Sequence, residues 1–357
     1  MSTTGTLPLN ATAKRRKTLE ISAAIVLAAL IAAVFWGMQR YPALMKKFHA
    51  GTGIHISGAI SFDALLPVNP AMPLPTRVAR TSVNWLWTNR FGMYFALPFG
   101  AAMMTLLAQI ERRKRFRYAA ANVFCGAVVG APLGVCANCA TPVGQGLLAG
   151  GASTRLAVAT MISSPSFNPV VIAMAFVLFP ARMAVMRVVV PALLLLALPL
   201  FVRESELKPV GLRLPEDVVS PAERAWMLTK SFVRKLLRLT LMTLPWMLLA
   251  ALIGGLAAEA IPAYGTHLPV SVLGVIGVAV LGTVLPVPMA FDVGLAWVLY
   301  RSGVPAPYVA ALLCTLGPVS AYSLLALGKQ LGRDVPLKLA AATAFLGSVA
   351  GVLMMVS

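Results

Sequence analysis

Acidic side chains are scarce in this chain: 11 Asp and Glu stand against 30 Lys and Arg among 357 residues. Charged residues of both signs make up only 11%, against about 25% in a soluble domain, which excludes an ordinary water-facing surface. Cysteine is rare too. The four present, Cys125, Cys136, Cys139 and Cys314, all lie in or beside apolar segments, so they form no secreted disulfide framework. The three histidines, His49, His55 and His267, fall in expected loops and receive no role. No G-x-x-x-x-G-K-S/T motif occurs, so nothing points to ATP hydrolysis; no cofactor and no enzymatic reaction is expected. No RNA-binding motif or stacking platform accompanies the basic runs. The net charge of +19 therefore does not indicate a nucleic-acid partner, and the basic residues cluster at segment ends as the positive-inside bias requires.

What is abundant is apolar: 59% of the residues are hydrophobic and the mean hydropathy is +0.83. Several runs approach the roughly 20 residues needed to cross a bilayer. The expected fold is an all-α, polytopic integral membrane protein with about 8–10 transmembrane segments and the lipid bilayer as its solvent. Lys14-Arg15-Arg16-Lys17 precede an apolar run from Ile21 to Trp36. That run exceeds a signal-peptide core, so it reads as an uncleaved first helix entering from the cytoplasm of a bacterial inner (plasma) membrane.

Four regions are expected: 1–90 (basic tail, first helix and external loop), 91–202 (first permease repeat), 203–238 (cytoplasmic linker) and 239–357 (second repeat). The loop 39–90 has a proline-rich middle, Pro67 to Pro75, and reads as a lid or spacer. Trp85 and Trp87 are its candidate interfacial anchors. Helices are expected at about 20–37, 91–110, 118–133, 183–202, 239–258, 270–285 and 337–356. The pieces 142–150, 154–164 and 168–181 are each too short to span and read as half-helices and re-entrant arms. Pro221–Arg238 reads as an amphipathic helix on the membrane surface.

The halves echo each other. The arm from Gly151 to Pro165 matches the arm from Gly303 to Pro318 within one residue. The first interhelix turn, Glu111–Arg117, holds five Lys and Arg in seven residues, and its counterpart 259–269 holds none. Opposite charge bias implies opposite sides, hence two inverted repeats whose broken helices meet near the midplane.

The chain is organised around 132–169, where two thiols, two asparagines and four prolines sit between long apolar segments. Irregular backbone is tolerated there only if buried in protein or lining a wet cavity. Cys136 and Cys139 are soft donors suited to Cu(I), Zn or trivalent metalloids, though a structural zinc would need two further ligands. Their other reading is small apolar residues at helix ends. Asn138 and Asn168 carry amides that must find partners or bind something. Pro142, Ser164, Pro165 and Pro318 mark the breaks, where freed carbonyls and half-helix ends can coordinate ions; the other reading is kinks satisfied by neighbouring helices. Asp292 follows the proline break of the second half. An intramembrane carboxylate is a functional hypothesis by default. Burial disfavours its charged form, so Asp292 is the expected proton carrier, the other reading being a structural pair with Arg301 or Arg155. Cys125 reads as packing, and Cys314 as a residue of the mirrored arm.

Cys136, Pro142, Gly151, Ser164, Pro165 and Asn168 resemble the motif of the predicted-permease family that includes the organoarsenical efflux permeases (ArsP-type). A cysteine motif ahead of a proline, a Gly-rich turn and a Ser-Pro-x-x-Asn break recur there. The resemblance covers roughly 91–202 well and 239–356 by pattern. It implies two-repeat permease architecture and export of a metalloid solute. The family's cysteines are usually spaced C-x-C; here Asn138 stands at the second position and the thiol falls at Cys139. The combined reading is a secondary permease moving a soft metal, metalloid or thiol-reactive solute outward. Its expected site is Cys136, Asn138, Cys139, Pro142, Ser164, Pro165, Asn168, Asp292 and Pro318. The alternatives are a membrane thiol-disulfide oxidoreductase using Cys136 and Cys139, and a scaffold without transport.

Overall fold

The computed structural model describes residues 22, 25–42, 45, 65–109, 118–204, 220–264, 269–287, 291–301 and 303–356. The basic tail, the turn 111–117, residues 46–64, the linker 205–219 and all three histidines lie outside the described residues. Among the described residues the chain is helical with no strand, as backbone in hydrocarbon requires.

Helix α1 (Ile25–Gln39) ends in a π-helical turn at Trp36–Arg40. It is fastened by Phe35 stacked on Phe95 at 4.1 Å and by Trp36 Nε1 donating to the Pro132 carbonyl. Then come α2 (Leu74–Gln109), α3 (Ala119–Gly130), α4 (Ala137–Gly150), α5 (Thr154–Ser166), α6 (Pro169–Leu178) and α7 (Ala181–Phe201). The second series is α8 (Pro221–Tyr264), α9 (Val272–Val284), α10 (Phe291–Arg301), α11 (Ala306–Thr315), α12 (Ala321–Leu331) and α13 (Asp334–Leu353).

The order recurs element by element. A long helix (36 or 44 residues) leads to one of 12 or 13, followed by a break. A short helix then ends near a glycine with positive φ, Gly151 at 83° and Gly303 at 88°. A second short helix stops at a residue pair or loop whose last member caps the next one: Asn168 for α6 and Ser320 for α12. A helix of 21 or 20 residues closes each series. The packing recurs as well, with α3 on α5 and α9 on α11, α5 on α7 and α11 on α13. Across the series α2 lies along α8, α4 meets α12 and α6 meets α10.

Small residues permit the close approaches, as in membrane helix pairs generally. A Cβ on Gly146 of α4 would stand 2.6 Å from the Gly100 carbonyl of α2. One on Gly100 would stand 2.8 Å from the Pro142 carbonyl. One apolar cluster centres on Val143, Leu148 and Ile162 and takes in Leu327 and Leu339 of the second series; another centres on Val293, Leu313 and Leu316 and takes in Val171, Met174 and Met183 of the first. Trp85, Met247 and Tyr322 join α2, α8 and α12 between them.

Several sequence expectations are corrected. Residues 74–90, expected in the external loop, are the first turns of α2. Their polar side chains are absorbed by local bonds, with Asn84 exchanging two bonds with the Leu66 backbone and Asn89 donating to the Trp85 carbonyl. Trp85 is no interfacial anchor: it is 2% exposed and donates to the Pro286 carbonyl at 3.3 Å. Trp87 is part-exposed and lies under the Arg90 guanidinium at 3.6 Å. Pro221–Arg238 is no separate surface helix either, because α8 runs unbroken from Pro221 to Tyr264. Helix α12 (Ala321–Leu331) falls between the arm ending at Pro318 and the helix expected at 337–356, where no helix was expected.

Among the described residues four stretches are long and apolar enough to cross a membrane: 154–178, 181–201, 225–256 and 334–353. Four shorter apolar helices accompany them, at 25–39, 119–133, 272–284 and 306–315. The arms α5 and α6, each too short alone, reach spanning length end to end.

Candidate functional site

Each break has a local cause. α3 runs into Pro132 and a single 3-10 turn, then reverses at Gly134, whose φ of 56° suits a residue without a Cβ. α4 starts at Cys136 and contains Pro142, whose missing N–H leaves the Asn138 carbonyl without its helical donor. Pro165 does the same to Met161 inside α5. Pro318 lacks the N–H that would extend α11 onto the Cys314 carbonyl. All nine expected site residues are buried.

The two breaks of the first series are laced together. Ser164 Oγ accepts from the Val135 N–H at 3.1 Å and donates to the Val135 carbonyl at 3.3 Å. Asn168 donates Nδ2 to the Gly134 carbonyl at 3.0 Å, and its Oδ1 accepts the Val170 N–H at the start of α6. Asn138 reaches the second series. Its Nδ2 donates to the Val287 carbonyl at 3.5 Å, and its Oδ1 accepts from Ser320 Oγ at 2.8 Å. Ser320 also caps α12 through a reciprocal box with Ser323. One buried amide therefore joins the break before α4 to both breaks of the second series.

The thiols flank that amide. Cys136 is the N-cap of α4: its Sγ accepts the Cys139 N–H at 3.4 Å and faces Asn89 Oδ1 of α2 at the same distance. Cys139 points at Gly92, where a Cβ would stand 2.6 Å from Sγ. Tyr322 of α12 is buried beside Trp85 and Met247. Donors from α2, α4 and α12 thus surround the start of α4, where aligned backbone N–H groups favour negative charge. No group of three or more His, Cys, Asp and Glu that could hold a metal ion occurs among the described residues. Cys314 packs with Val190 and Ala350 in a separate cluster, and Cys125 lies on α3.

Asp292 is not paired with Arg301 or Arg155. Its Oδ2 meets the Arg187 Nη2 of α7 at 2.7 Å. Arg155 instead bonds the Val202 carbonyl and lies 3.7 Å from Glu204, and Arg301 leans over Trp297. Arg187 is 0% exposed. Its Nε and Nη1 have no partner among the described residues. A Cβ on Gly317 would collide with Arg187 Nη2 and stand 3.0 Å from Asp292 Oδ2. The sequence reading missed Arg187, though its signal was present: it is the sole charge between Arg182 and Arg203. Asn89, Ser320 and Tyr322 were missed because ordinary polar residues of helices do not stand out before packing is known.

Among the described residues, a helical chain with four stretches long and apolar enough to cross a membrane and a polar, helix-broken interior defines a polytopic membrane protein. The chain belongs to the ArsP_1 family of predicted permeases, whose model matches residues 98–356. It is a membrane permease, and the match covers most of both helical series. No curated protein and no solved structure matches the chain.

Proposed function

We propose that this permease is a secondary transporter that exports a soft metal, metalloid or thiol-reactive solute. The carrying observation is the convergence on the start of α4. Two thiols stand beside Asn138, whose amide bonds both breaks of the other series. Soft donors next to hydrogen-bonding groups suit a solute that is bound briefly and released. Cys136 and Cys139 are the ligands in this reading, Asn138 and Asn168 the polar contacts. Ser164, Pro142, Pro165 and Pro318 hold the breaks open to them.

We take the repeats as 74–201 and 221–353, starting earlier than the expected 91 and 239 because α2 begins at Leu74 and α8 at Pro221. We read them as inverted, with α4–α5 and α10–α11 as the re-entrant pairs and the N-terminus cytoplasmic. Rocking of one repeat against the other would break the Asn138–Ser320 bond and expose the thiols to alternate sides. Asp292 carries the coupling proton: protonation releases it from Arg187, and return of the pair resets the cycle.

The test uses inside-out vesicles. Accumulation of trivalent arsenicals and Cu(I) is compared for wild type and C136S/C139S, with and without a pH gradient. Thiol-dependent, gradient-driven uptake is expected. Equal uptake by both proteins would make the cysteines packing residues and reject the soft-solute site.

A further inference from the structure

We infer that Arg187 is the anchor of an anion subsite, and that the carried solute bears a carboxylate or oxyanion group that docks on its guanidinium. The inference rests on the transport reading but not on the thiol pair.

A guanidinium offers five N–H groups and binds a carboxylate best through two parallel bonds. Here Asp292 is engaged at a single nitrogen, Nη2, at 2.7 Å. Nε and Nη1 have no partner among the described residues, although the side chain is 0% exposed. Donors left unpaired in a buried setting are costly. In a chain with so few charges an intramembrane arginine marks a solute pathway by default. The location supports the same conclusion. Arg187 reaches from α7 to Asp292 at the start of α10 and to Gly317 at the end of α11. Those are the two breaks of the second series, and Asn138 bonds both of them through Val287 and Ser320. The guanidinium thus sits beside the junction proposed as the transport site. Gly317 supplies the room, since any side chain there would strike Nη2.

The arrangement makes Asp292 the resident counter-ion. With no solute, the pair is neutral and can be buried. An arriving anion takes a fork edge that includes an unpaired nitrogen, Nε with Nη2 or Nη1 with Nη2, and competes with Asp292 for the same cation. A neutral solute would leave those donors bare.

The experiment measures melting temperature of the full-length protein in detergent against sodium phosphate, arsenate, methylphosphonate and acetate, with chloride at equal ionic strength as reference. Binding to the native state raises stability by mass action. Wild type and C136S/C139S should both be stabilised by at least one of the four anions, which separates this inference from the thiol reading. D292N, which removes the competing carboxylate, should respond at about tenfold lower anion concentration, a usual size for coupling between two ligands. R187Q and D292N each leave the other charge unpaired and are expected to fold less well, so the decisive variant is R187Q/D292N, in which both members are neutral. It should fold and show no response beyond chloride. An equal response in R187Q/D292N and wild type, or no response of wild type to any of the four anions, overturns the assignment.

Discussion

The Arg187–Asp292 pair is where single side chains matter most. Removing one partner of a buried ion pair leaves the other charge uncompensated and typically costs about 3–5 kcal/mol, whereas replacing both can be neutral. We expect R187Q to lose most of its folded yield in membranes and R187Q/D292N to regain it, read as the monodisperse fraction after detergent extraction. Equal yields from both would show that the pair carries no such penalty. Asn138 is the other sensitive side chain. N138A removes both of its bonds and leaves Ser320 Oγ with only its contacts to Ser323, a loss of about 1–3 kcal/mol for unsatisfied buried groups. N138D keeps the acceptor for Ser320 and loses the donor to Val287. N138D also buries a carboxylate without a counter-charge, so thermal melts should place both variants below wild type.

At the level of elements, the ends of helices decide the architecture. α8 opens with a reciprocal cap in which Glu223 accepts from the Ser220 N–H and hydroxyl, while Ser220 Oγ accepts the Glu223 N–H. The Ser220 backbone bond first, and its hydroxyl second, hold the Glu223 carboxyl below the usual range. A carboxyl depressed in the folded state stabilises above its unfolded pKa, and that contribution is lost as pH falls through the folded value. Hydrogen exchange across 220–224 should therefore quicken on acidification relative to the neighbouring turns, and E223Q should abolish the difference. An unchanged pH response in E223Q would assign the effect elsewhere.

Helix ends were also the most legible feature of the sequence. Pro132, Asn168-Pro169 and Pro318 locate the breaks because their chemistry acts within a turn, whereas Pro142 and Pro165, also expected at breaks, lie inside α4 and α5. The long helices were not legible to the same degree. Thr76 to Arg90 looked like a loop because its polar side chains find partners only once Leu66 and the Pro67 and Pro70 carbonyls fold back on α2. Pro221–Arg238 looked superficial because the continuity of α8 depends on α2 packing along it. Asp292 was found by its isolation, and its partner depends on α7 reaching α10, a contact between residues 105 positions apart.

For the whole molecule, six elements recur in the same order and the two series exchange contacts, α4 with α12 and α6 with α10. If the repeats are inverted, single cysteines at Arg113 and Thr266 in a Cys-free background label from opposite sides of the membrane with an impermeant maleimide. Labelling from one side would make the repeats parallel and would move the proposed re-entrant pairs. The measurement that bears most directly on the account is uptake of a trivalent arsenical and of Cu(I) by inside-out vesicles carrying wild type or C136S/C139S. The account predicts accumulation by wild type that collapses with the pH gradient and is lost in the double variant. Accumulation that survives loss of both thiols would contradict it.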